Sequence, residues 1–170
     1  MKNFLRLLII ISLFFVVSSG YGNCEGVSSD VFKVGVSLTD QIPKAFFGTW
    51  RVSSELIDTN SPANFKKNNL DIWNLSKSGD VINLTNPFSG ATASITLNYV
   101  ENGTIKFTKK SNYEGKILTD IVELKISGDK FSGINTIILE TLSDVDNSVI
   151  KTSNATYRLK GDKIAGLTIK

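Results

Sequence analysis

The chain has 170 residues, 19 of them basic and 16 acidic, for a net charge of +3. So small a surplus argues against nucleic acid as the partner, which demands a dense basic footprint. The chain has no histidine and one cysteine. That removes the commonest general base, the Ser-His-Asp and Cys-His systems, most zinc and copper sites, and any intramolecular disulfide framework.

The first predicted element is a leader. Lys2 and Arg6 give a positive start, Leu7 to Val17 is apolar except for Ser12, and Ser18, Ser19 and Gly20 are small. This three-part layout predicts a secretory signal over residues 1–22, cleaved after Gly20 or Gly22. The apolar run is about eleven residues, whereas a membrane-spanning helix needs roughly twenty. The expectation is therefore an exported chain (periplasmic, envelope or extracellular) with no transmembrane span once the signal is removed. Losing Lys2 and Arg6 leaves a net charge of about +1. The remaining length, about 148 residues, suits one domain that buries roughly two thirds of its unfolded surface. Cys24 follows the leader closely enough to be a candidate lipid anchor. Tyr21-Gly22-Asn23 before it lacks the leucine of a lipidation box, and Asn23 is larger than the usual Gly or Ala, so a free thiol is the preferred reading.

Residues 23–44 read as an extended N-terminal segment that lies across the domain or adds an edge strand, broken by Gln41-Ile42-Pro43. The domain proper is expected over 45–170, where nothing keeps a 3.6-residue apolar period for three turns. Strands are predicted near 48–57, 70–76, 81–85, 91–100, 104–111, 116–126, 131–141, 149–160 and 163–170. In the fourth, Ala91, Ala93, Ile95, Leu97 and Tyr99 share a face. In the sixth, Leu118, Val122, Leu124 and Ile126 share one with Asp120 intruding, and in the seventh Phe131, Gly133, Asn135, Ile137 and Leu139 do the same. Asn102-Gly103 is the strongest hairpin signal, and Gly-Asp pairs at 79–80, 128–129 and 161–162 are read as turns. Residues 58–69 read as the longest exposed loop. Short connections force antiparallel neighbours, and a long meander escapes exposed edges by closing. The predicted fold is all-β: an antiparallel up-and-down meander closing into an eight- or nine-stranded barrel, with a β-sandwich as the alternative.

Gly48-Thr49-Trp50 opens the first strand of this meander. A Gly-x-Trp there resembles the calycin group, which contains the lipocalins, fatty-acid-binding proteins and avidins. The resemblance implies a lipocalin-like barrel in which Gly48 permits close chain approach and Trp50 plugs the closed end. It also implies an arginine late in the last strand, stacked on that tryptophan, for which Arg158 is the matching residue.

No nucleophile, base or metal constellation can be assembled, so the expectation is a non-enzymatic protein without a cofactor. Asp120 and Glu123 fall on opposite faces of a strand and do not form a carboxylate pair. Asp120 is either a polar group inside a cavity or, as preferred, a carboxylate at a strand end in water. Trp73, Tyr99, Phe107 and Asp120 are the candidate ligand-lining residues; for the aromatics, simple core packing is the preferred reading. Lys66-Lys67 and Lys109-Lys110 are read as solvated. An outer-membrane barrel fits poorly, because the alternate faces carry Thr, Asn, Lys and Ser rather than a continuous apolar band. Two roles are expected: binding of a small apolar or amphipathic molecule, or an envelope-associated structural or protein-interaction domain whose barrel is filled with side chains.

Overall fold

A computed structural model describes residues 37–166. The leader and Cys24 lie outside the described residues. Eight strands follow one another: β1 (Gly48–Thr59), β2 (Asn68–Ser78), β3 (Val81–Thr85), β4 (Thr92–Glu101), β5 (Thr104–Tyr113), β6 (Lys116–Ser127), β7 (Lys130–Leu142) and β8 (Val149–Ala165). Each pairs antiparallel with the next, and β8 returns to pair with β1, closing an up-and-down barrel. Closure leaves no open edge in the sheet, which removes the template for edge-to-edge aggregation.

The described start of the ninth predicted strand, residues 163–165, belongs to the eighth. Gly161-Asp162 is not a turn: Gly161 is a ladder residue opposite Val52 on one side and Phe131 on the other. A Cβ built on Gly161 would lie 2.2 Å from the Phe131 ring, so this glycine makes room for an aromatic rather than reversing the chain. Gly128 does turn the chain, with φ of 60°. Asn102 and Gly103, at φ of 50° and 76°, form the expected tight hairpin between β4 and β5.

The two poles differ. Tight turns join β2 to β3, β4 to β5 and β6 to β7 at one end, while the other end carries the connections 60–67, 86–91 and 143–148. The described part of the N-terminal segment is not extended. It makes two 3₁₀ turns, Leu38–Asp40 and Lys44–Phe46, which bury Ile42, Ala45 and Phe46 against the first end. Thr39 Oγ1 donates to Asp80 in the β2–β3 turn, and Lys77 on β2 pairs with Asp40 at 2.7 Å.

Inside that closed end the barrel is packed with Phe46, Trp50, Leu75, Ile82, Ile105, Phe107 and Leu124, none more than 1% exposed. Trp50 donates its indole N–H to the Phe46 carbonyl at 2.9 Å, and its ring tilts against Phe131 at 5.1 Å. Gly48 has φ of +123°, and a Cβ there would fall 2.4 Å from the Ala165 carbonyl oxygen. The first and last strands therefore meet closely only because position 48 carries no side chain.

Candidate ligand-binding site

Two of the residues singled out from sequence, Arg158 and Tyr99, fall elsewhere than expected, and Phe107 takes its core reading. Arg158 is on the outer face, paired with Glu55 at 3.2 Å, because a period of two places it opposite to the buried Tyr157 and Leu159. The cation over Trp50 is instead Lys163, with Nζ 4.8 Å from the ring centroid and also donating to the Ala45 carbonyl. Lys163 is the β8 partner of Trp50 in the ladder. Burial lowers its pKa, an effect that nearby Asp129 partly opposes.

Tyr99 is exposed and donates to Glu101. A bulge between Leu97 and Tyr99 inserts one residue into β4, so Val100 takes the inward place. Phe107 is fully buried but belongs to the packed end, edge-on to Phe46 at 6.2 Å, and does not line the cavity.

Trp73 and Asp120 do come together. They line a cavity of about 380 Å³ in the half of the barrel away from Trp50. Its apolar wall is Val52, Trp73, Ile137 and Leu159, with Phe65 from the 60–67 connection. Trp73 is held from behind, stacked on Phe131 at 6.0 Å. Its indole N–H is taken by Asp71 Oδ2 at 3.2 Å. Asp71 also accepts from the Ile72 amide and the Asn86 side chain through Oδ1.

The polar wall centres on Asp120, which is 5% exposed and so is not at a strand end in water. On β6 it shares parity with Val122, Leu124 and Ile126, all buried, and the inward face carries it into the interior. Lys109, its ladder partner on β5, places Nζ 3.0 Å from Asp120 Oδ2. This is an ion pair without a well-directed hydrogen bond, so Oδ2 has none. Oδ1 accepts from Asn135 Nδ2 at 3.1 Å, which leaves Asn135 Oδ1 buried with no protein donor. A buried acceptor left unpaired costs about 1–3 kcal/mol.

Sequence reading missed Lys109, Asn135 and Asp71 as parts of one site. Lys109 shares the inward parity of Ile105 and Phe107, and that is the signal its lysine neighbour obscured. Tyr157 completes the rim. Its hydroxyl donates to the Lys66 carbonyl at 3.0 Å, and Asn64 Nδ2 donates to Ser153 at 3.2 Å, so β8 ties the 60–67 connection across the mouth. Burial raises the Tyr157 pKa.

Among the described residues no group of three or more acidic or sulfur ligands could hold a metal ion, and no helix is long and apolar enough to cross a membrane. Comparison with protein-family models, curated proteins and solved structures gives no match to this chain.

Proposed function

We propose that this chain is an exported, non-catalytic, lipocalin-like binding protein that takes a small apolar or amphipathic molecule into the mouth of its barrel. The observation that carries this reading is the division of the interior. One half is packed solid around Trp50, while the other keeps a cavity of about 380 Å³ with an apolar wall and a few convergent polar groups. A volume above roughly 300 Å³ with that mixture is the usual make-up of a small-molecule site. Export rests on the leader, and the calycin resemblance on Gly48 and Trp50. Native mass spectrometry of the protein purified from its source tests the reading: a retained small molecule, lost on unfolding, is expected. A bare mass, with no binding from an extract of small apolar compounds, overturns it.

The solid packing of the lower half favours a second reading, an envelope-associated structural or interaction domain in which the barrel serves only as a rigid body. Under it, Cys24 would carry a lipid anchor. The intact mass of the natural product separates a cleaved, unmodified chain from one bearing acyl groups on Cys24.

A further inference from the structure

Apart from the cavity, we infer that the outer wall of the barrel carries a second site, which takes a phosphate monoester group between Lys125 on β6, Lys130 on β7 and Lys160 on β8. These lysines line a concavity of about 350 Å³ together with Ser127, Ser132 and Asp162. Strand register gathers them. Lys125, Ser132 and Lys160 occupy one rung across β6, β7 and β8, and Lys130 is the next outward residue beside Ser132. With strands about 4.8 Å apart and same-face neighbours about 6.8 Å apart along a strand, the three stems rise within roughly 10 Å of one another.

The charges of this cluster are left over. Elsewhere on the same wall cations are matched across strands: Lys106 to Glu123 at 3.6 Å, Arg158 to Glu55 at 3.2 Å and Arg51 to Asp162 at 3.4 Å. Among the described residues, Lys125, Lys130 and Lys160 pair with no carboxylate, and the Ser127 and Ser132 hydroxyls make no hydrogen bond. Asp162, the one carboxylate in the lining, already faces Arg51. Asp129, next to Lys130 in the turn, lies outside the lining and acts on Lys163. Three like charges this close repel one another, and an anion set between them relieves that repulsion. A phosphate monoester brings nearly two negative charges and three acceptor oxygens, one for each ammonium. A carboxylate brings one charge on two oxygens, and a sulfate ester a single charge, so both satisfy the cluster less well. The patch is three strands wide, too small for the dense footprint that nucleic acid demands.

The test titrates the full chain, followed by backbone-amide NMR, with phenyl phosphate, phenyl sulfate, benzoate and inorganic phosphate. Phosphatidylcholine vesicles with and without phosphatidic acid form a further arm. At low salt, phenyl phosphate should shift the amides of Lys125, Ser132 and Lys160 and spare that of Asp120. It should bind about fivefold or more tightly than phenyl sulfate or benzoate, and weaken as salt rises to about 0.3 M. Lys125→Gln, Lys130→Gln and Lys160→Gln, all at exposed positions, should each weaken binding about threefold. Lys110→Gln, which removes the same charge from an exposed place on β5 toward the mouth, should leave it unchanged. Inorganic phosphate binding as tightly as phenyl phosphate identifies a free phosphate as the ligand. Capture by phosphatidic acid vesicles alone, lost in the three lysine variants, identifies a lipid headgroup. No response to any phosphate, no preference over sulfate and carboxylate, or an equal loss in Lys110→Gln overturns the inference and leaves the cavity reading untouched.

Discussion

Single positions carry the closure of this barrel. At Gly48 a methyl group would collide with the Ala165 carbonyl, and φ of +123° is strained for any L side chain. Gly48→Ala should therefore destabilise the fold by on the order of 3 kcal/mol, read from the shift of the urea unfolding midpoint. Tyr157 gives a pH-dependent counterpart. Burial raises its pKa above the usual 10.0, so the folded state holds the phenolic proton more tightly than the unfolded chain does. The stability from this preference is fully present below 10.0 and is lost as the pH climbs through the raised value. Tyr157→Phe should be less stable than the parent by about 1 kcal/mol near neutral pH, through loss of the bond to Lys66. That deficit should shrink at alkaline pH, because phenylalanine has no proton to lose. Urea midpoints of both proteins at about pH 8 and about pH 11 check the sign.

At the scale of the strand, alternation was a reliable guide wherever the ladder stays regular. β6 and β7 face inward as their apolar residues dictate, and Asp120 and Asn135 go in with them because parity, not polarity, sets direction. The guide failed where the backbone departs from period two or where a residue has two plausible roles. The bulge in β4 puts Val100 inside in place of Tyr99; both are apolar, so composition gave no warning. Gly161 offered the chemistry of a turn and performs that of a gap, because its use is decided by Phe131, thirty residues distant on β7. This makes a coupled prediction. Gly161→Ala should cost about 1–3 kcal/mol by overpacking, and much less in a Phe131→Leu background. A double-mutant cycle should return a coupling of about 1 kcal/mol or more, and additive effects would refute the contact.

For the molecule as a whole, the barrel and its plugged end were legible from strand spacing, short turns and Gly48-Thr49-Trp50. The cavity was legible only in fragments, through Trp73 and Asp120. Its assembly depends on Lys109 and Asn135 arriving from β5 and β7 to meet Asp71, two residues before Trp73 on β2, and that convergence is a product of strand register. The two tryptophans give a direct readout of both halves, since Trp50 is 0% and Trp73 8% exposed. Emission should be blue-shifted and resistant to acrylamide, and should move to longer wavelength only on unfolding. A pocket ligand should perturb Trp73 fluorescence, and Trp73→Phe should remove that response while Trp50 still reports folding.

The pairing of Thr49 with Ala165 sets the two ends of the barrel ribbon side by side at the corked pole, opposite the mouth. Circular permutation becomes feasible: a short peptide bridging that pole and a new opening within 86–91 would keep every rung of the ladder. For the same reason, a carrier or surface attached at either flank would hold the cavity facing outward, like a cup mounted by its base.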